Sequence, residues 1–297
     1  DLDYLNKVIN KWSDSAKEAF DNTFDASIGF TKTICGKEQG IGGNRRDPEN
    51  GLSDEDVPVM VIKDKKDKVR AIYTKYALHP TVLHGENKLV SADYPGYIRK
   101  SVNKKYPEAV FMFSQGTSGN LSPRYFRKAQ SFSEARRFGT AIAKSILNVL
   151  NDVVYTDALS ILHSTRILDL KIRDFSDIIS ALDKVEYYWK VKDEKIKNNG
   201  TYTEIQTADM WLLGAECEYN YSLMHQKGEL ESYYKDDMPF TAHALILNGN
   251  AYTCLLYTSD AADDLLCVDL CGPRIIKKKK HYKKKTTTAL QRPFSTL

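Results

Sequence analysis

Hydrophobic positions recur along this chain with two periods, and the places where one gives way to the other outline its fold. In residues 3–20, Leu5, Val8, Ile9, Trp12, Ala16 and Ala19 follow at three- and four-residue steps, the period of a helix with one buried face. A short apolar piece at 26–30 precedes a polar loop at 36–55 that holds several glycines. Two apolar runs, 57–62 and 69–78, flank the charged stretch KDKKDK and predict a hairpin with a solvated tip. Residues 92–105 predict a helix opened by Asp93-Tyr94-Pro95-Gly96, because a first helical turn accommodates proline. The continuous apolar run at 109–114 predicts a strand covered on both faces.

The second half continues the alternation. Residues 133–150 place Phe138, Ile142, Ile146 and Val149 on one side of an amphipathic helix, and 159–172 alternate as a strand whose polar members include Arg166, Asp169 and Lys171. A helix is predicted at 175–192, a charged loop at 192–200, and an apolar strand at 208–214 that runs into a helix beginning near Glu216. A last strand is predicted at 243–247. Alternating helices and strands predict an α/β fold, a mixed sheet flanked by helices, in a single domain of catalytic type.

Charge changes this outline only at the C-terminus. Of 43 Lys and Arg and 39 Asp and Glu, nine and four fall in 254–297, which leaves 34 and 35 in the body. A neutral body argues against nucleic acid as the partner. Three of the five cysteines (Cys254, Cys267, Cys271) also lie in that tail, and Cys35 and Cys217 alone do not form a disulfide framework. No apolar run approaches the roughly 20 residues of a spanning helix, and the first residues lack the basic and apolar regions of a secretion signal. The chain starts without Met inside a predicted helix, so it is expected to be a piece of a longer protein, with localisation and oligomeric state left open.

Two strands run into polar loops that carry candidate chemistry. His79 ends the 69–78 run, and Ser122 sits in the Gly-containing loop after 109–114. An imidazole at a strand end can hold a metal, and a hydroxyl in such a loop can approach a bound carbonyl. Each has a plainer alternative, a structural histidine and a serine that caps a turn. For Arg45, in the 36–55 loop, the alternative is an exposed loop arginine.

The wording of these loops resembles the neutral/alkaline (non-lysosomal) ceramidase family. The family's HP(T/S), S-(A/S)-D-x-x-G-Y and G-(D/N)-x-(S/N)-P segments are matched by His79-Pro80-Thr81, by Ser91-Ala92-Asp93-Tyr94-Pro95-Gly96-Tyr97, and by Gly119-Asn120-Leu121-Ser122-Pro123, in the same order. The resemblance implies a zinc-dependent amidohydrolase that cleaves the amide of N-acylsphingosine (ceramide) to fatty acid and sphingosine, a lipid-like substrate met in contact with a membrane surface. It implies Zn2+ as cofactor, His79 as a zinc ligand, Arg45 in the cleft as an oxyanion partner, and Ser122 as nucleophile. A zinc-bound water takes the last role in relatives with another residue there. Asp93, Asn120 and Tyr252 would bind substrate or order loops.

Glu216 matches the glutamate ligand of a Gly-Glu-x-x-x-x-Tyr-x-Leu segment, although Ala215 replaces the glycine. Glu218 takes its place if the register slips by two, and either carboxylate has the plainer role of favouring a helix dipole. The family's ligand tyrosine would fall on Leu255, and its HxHSGP-like segment would precede Asp1, so only His79 and Glu216 of the ligand set are expected in this chain. Two alternatives remain: a zinc amidase for another N-acyl substrate, and a catalytically inert fragment. Residues 254–297, from CLLYTSDAADD to the lysine run, resemble a translated sequencing adapter followed by an A-rich end. The expected division is a catalytic-domain piece at 1–253 and a tail at 254–297 without an evolved partner surface.

Overall fold

A computed structural model describes residues 2–45, 47, 50–168, 173–235 and 240–256, with 250–256 described through their backbone. In chain order its elements are helix α1 (Leu2–Asp21) and strands β1 (Ala26–Ile34), β2 (Gly43–Asn44), β3 (Asp56–Asp64) and β4 (Val69–Tyr76). Helix α2 (Asp93–Lys105), strands β5 (Val110–Gln115) and β6 (Leu121–Ser122), helix α3 (Phe132–Val149) and strands β7 (Tyr155–Thr156) and β8 (Ile161–Leu168) follow. Helices α4 (Ile178–Lys197), α5 (Tyr202–Gln226) and α6 (Leu230–Tyr234) lead to strands β9 (Phe240–Leu247) and β10 (Asn250–Leu256). β10 thus continues past the expected join at Thr253, and 257–297 lie outside the described residues.

The charged stretch KDKKDK makes the expected hairpin. The Asp64 carboxylate accepts the amides of Lys66 and Lys68, Asp67 takes the left-handed φ of +62°, and β3 pairs antiparallel with β4. β1 joins the other side of β3 antiparallel, and β5 joins β4 parallel through α2. The result is the predicted mixed sheet, in the order β5-β4-β3-β1-β7. Helices α2 and α3 pack together on one of its faces. Val57, Val59, Val61, Ile72 and Phe111 of the sheet meet Ile98 and Val102 of α2 and Phe138, Ile142 and Ile146 of α3 in one apolar core. Gly139 sets the spacing of these helices, since a Cβ there would stand 2.5 Å from the Tyr94 carbonyl oxygen and from Tyr97 Cβ.

Four expectations change. β5 is an edge strand covered on one face, with Val110 61% and Met112 41% exposed. The apolar run foretold burial but could not tell a central strand from an edge. In α1 the predicted helix forms, yet none of its side chains is buried and Trp12 is 72% exposed. Periodicity marks an apolar face without saying what covers it. Trp12→Ala is therefore expected to change unfolding free energy by less than about 0.5 kcal/mol in a denaturant titration.

The remaining two corrections concern α4 and α5. The expected charged loop at 192–200 is helical as far as Lys197, and the expected strand at 208–214 lies inside α5. A seven-residue apolar run has no period long enough to separate strand from helix. The start signal was nevertheless present: Thr201 accepts the Glu204 amide, and the Glu204 carboxylate accepts the Thr201 amide. Hydrogen bonds from Lys195 and from Thr201 hold the Glu204 carboxyl down at about 2. The two helices are further tied by ion pairs from Lys192 to Asp209 and from Lys184 to Glu218.

β8, β9 and β10 form a second, antiparallel sheet. The strand predicted at 159–172 begins at Ile161, and 169–172, Asp169 and Lys171 among them, lie outside the described residues. No described helix is long and apolar enough to cross a membrane.

Candidate active site

Because β4 and β5 are parallel, their C-terminal ends leave the sheet at the same edge, and both candidate loops start there. The loop after β4 is fixed by its carbonyls. Gly116 donates to the Tyr76 oxygen at 2.8 Å, Gln115 Nε2 donates to the Tyr76 and Leu78 oxygens at 3.3 and 3.2 Å, and the Tyr94 hydroxyl donates to the Leu78 oxygen at 2.5 Å. A Cβ at Gly116 would stand 3.1 Å from the Ala77 backbone, a tight contact that glycine avoids. These contacts deliver His79 to the end of β4 with its amide donating to the Leu121 oxygen at 3.1 Å.

The third loop closes onto the same point. Gly43 pairs with Ser122 and Asn44 with Leu121 in a two-residue antiparallel bridge, and the Arg45 amide donates to the Asn120 oxygen at 2.8 Å. The side-chain amides of Asn44 and Asn120 both donate to the Leu52 oxygen at 2.7 Å. Asn120 therefore orders the loop that carries Arg45. Arg45, His79, Asn120 and Ser122, spread over most of the first half of the chain, are brought together by backbone contacts.

Asp93 orders the loop after His79. Its φ is +49°, its side chain is buried, and its two carboxylate oxygens accept the amides of Leu83 and Tyr94 at 2.9 and 2.7 Å. Arg127 adds a hydrogen bond to the Thr81 oxygen at 2.6 Å. Ser122 is 6% exposed, and its Oγ accepts the Arg124 amide at 3.3 Å. That contact is the turn cap foreseen as the plainer alternative, and it leaves the hydroxyl proton available for another partner.

Glu216 lies in the middle of α5, not in a first turn, between the buried Ala215 and half-buried Cys217. Thr207 of the same helix reaches Tyr125, whose hydroxyl donates to the Arg45 oxygen at 3.4 Å. At about 100° and 1.5 Å per residue, Glu216 is roughly half a turn around the helix from Thr207 and about 13 Å along it. Glu218, the competitor, is held by Arg173 at 2.8 Å and Lys184 at 2.5 Å, a structural role that ties α5 to α4 and the segment before it. Tyr252 lies in β10, its side chain outside the described residues.

The metal expected from the resemblance finds a partial fit. Nε2 of His79 is buried and makes no hydrogen bond among the described residues, although the residue has other contacts. Yet the described residues contain no group of three or more His, Cys, Asp or Glu side chains able to hold a metal, and a catalytic zinc needs three protein ligands. Among the described residues this set does not complete a zinc site.

Sequence reasoning passed over Glu134 and Arg137, which clamp the loops from behind. Arg137 donates to the carbonyl oxygens of Gly40 and Phe126 at 3.0 and 2.9 Å, and to both Glu134 oxygens at 2.9 and 2.8 Å. Glu134 also accepts the Lys128 amide at 2.9 Å. The signal for it was Ser131-x-x-Glu134, a helix-start pattern, and the Ser131 side chain does accept the Glu134 amide. Hydrogen bonds from Arg137 above all, opposed by burial and helped by the Lys128 amide, hold the Glu134 carboxyl below its ordinary 4.5. A depressed carboxylate stabilises the fold above its unfolded pKa, and that stabilisation fades as pH falls through the folded value. Glu134→Gln is expected to flatten the acid limb of a stability profile measured below about pH 4.5.

No protein-family model matches the chain, and comparison with curated proteins finds no match. Among solved structures it is similar to a ceramidase complexed with C2 (TM-score 0.39, 18% identity) and to the neutral ceramidase of Pseudomonas aeruginosa (TM-score 0.38, 19% identity). Each match takes in 51% of this chain and 27% of the other. Likenesses this distant carry no functional argument.

Proposed function

We propose that this chain carries part of the active site of an amide hydrolase of the ceramidase type, acting on N-acyl amides such as N-acylsphingosine. One observation carries the reading: the segments that resemble the family's motifs, far apart in sequence, meet in direct backbone contact at one end of the sheet. Gly43 pairs with Ser122, the Arg45 amide bonds to Asn120, and the His79 amide bonds to Leu121. Strand ends are where α/β sheets place their sites.

In this reading the Ser122 hydroxyl attacks the amide carbonyl carbon, its proton leaves with the amine, and water then releases the fatty acid from the acyl-enzyme. The Arg45 guanidinium would offer a planar fork of donors to the oxygen that gains negative charge. Zn2+ stays a proposal with His79 as one ligand. Glu216 as a second would require α5 to present its other side to the loops.

The test is turnover of a panel of N-acyl amides, N-acylsphingosine included, by the whole chain. Ser122→Ala should abolish release of fatty acid, and Arg45→Ala should lower kcat by about 10²-fold or more. Turnover unchanged in Ser122→Ala would overturn the serine mechanism. Activity on another panel member but not on ceramide would keep the amidase and replace the substrate. A second reading, an inert piece of such an enzyme, is favoured by the incomplete ligand set among the described residues. It predicts less than stoichiometric zinc in the purified chain and no turnover of any amide.

A further inference from the structure

The second sheet carries a group of side chains that plays no part in the loops described above. β8 and β9 pair antiparallel, with Thr165 opposite His243 and His163 opposite Leu245. Residues two apart on a strand share a face, so His163, Thr165 and His243 stand on the same side of the sheet. The imidazole rings are stacked, their centroids 5.7 Å apart and their planes 16° from parallel. Thr165 Oγ1 lies 3.4 Å from His163 Nε2 and 3.1 Å from His243 Nδ1. A nitrogen of each ring is therefore turned toward one point between the strands.

We propose that His163 and His243 form a bidentate site for a divalent transition-metal ion, with the Thr165 hydroxyl and water filling the remaining positions. Neutral imidazole is the preferred side-chain ligand of copper and zinc, and copper binds more tightly to a given nitrogen site. Ligand nitrogens about 2.0–2.1 Å from one ion need only a rotation of two side chains that already converge. His163 is exposed and His243 half-buried, so an ion reaches the pair from solvent without opening the fold. Because the ligands stand on neighbouring strands, the ion would staple β8 to β9. β8 is an edge strand of this sheet, and its Ile161, Leu162 and Ile167 are exposed, so a link to β9 would hold it in place. An ion that binds only the folded form raises the free energy of unfolding by mass action.

This site stands whether or not the loop cluster hydrolyses amides, and it is separable from His79 by mutation. The purified whole chain is titrated calorimetrically with Cu2+ alone, then with Zn2+, near neutral pH, and thermal unfolding is followed with and without the ion. His163→Ala and His243→Ala should each weaken this binding at least about tenfold, or about 1.4 kcal/mol, and abolish the ion's effect on the unfolding midpoint. His225→Ala, at an exposed histidine in the last turn of α5, should keep both. Circular dichroism before metal addition checks that each variant folds, and the exposed His163 carries the test by itself if the His243 variant does not. If His163→Ala binds as many ions as tightly as the unaltered chain, the site does not exist.

Discussion

Phe138→Ala is expected to lower the free energy of unfolding by about 3–5 kcal/mol, read as a lower denaturant midpoint at unchanged slope. Phe138 is fully buried where α3 meets the sheet and α2, within the core that contains Val59, Ile72 and Ile98. Removing the ring leaves a void that these neighbours cannot collapse into, because Gly139 already brings α3 against the Tyr94 backbone. The contrast with Trp12→Ala is the informative part. Both residues lie on apolar helical faces in the sequence, and only one of those faces is covered. Similar losses from the two would mean that α1 is packed against something.

Asp93→Ala is expected to cost about 2–6 kcal/mol, since two backbone amides in a buried turn lose their acceptor at about 1–3 kcal/mol each. The amides are those of Leu83 and Tyr94, and alanine must also adopt a φ of +49°. Asp93→Asn keeps a side-chain oxygen and tolerates that backbone, so it should recover a good part of the loss. The loss also bears on the site, because the loop from His79 to Asp93 is held from its far end by these bonds. In the amide panel, Asp93→Ala should lower turnover through misplacement of His79, and Asp93→Asn should restore it in step with stability. Full turnover in a destabilised Asp93→Ala protein would show that the loop does not need this anchor.

The sequence was most informative where a local pattern has one structural solution. Charged residues between two apolar runs become a hairpin tip because only water can solvate them, and β3 and β4 follow. Proline after an aspartate at 93 opens α2, and Phe138, Ile142 and Ile146 share the buried side of α3. It misled where the pattern was short or silent about neighbours. The run at 208–214 has no period of its own, and the capping pair Thr201 and Glu204 decided in favour of α5. Placing Glu216 mid-helix follows directly from that decision.

The candidate site divides along the same line. Motif wording singled out Arg45, His79, Asp93, Asn120 and Ser122 as residues with chemistry, because side-chain type at fixed spacing is a property of the chain. Whether they meet is not such a property. It depends on β4 and β5 being parallel, so that both loops emerge at one edge, and on the bridge from Gly43 to Ser122 that draws in the third. Parallel pairing and long-range bridges are set by the packing of α2 and α3 on the sheet, a sum over many weak contacts that no local stretch encodes. Thus the residue types, most elements and the mid-helix place of Glu216 were fixed by the order of amino acids, while the convergence of three loops and the bare face of α1 were decided by tertiary packing.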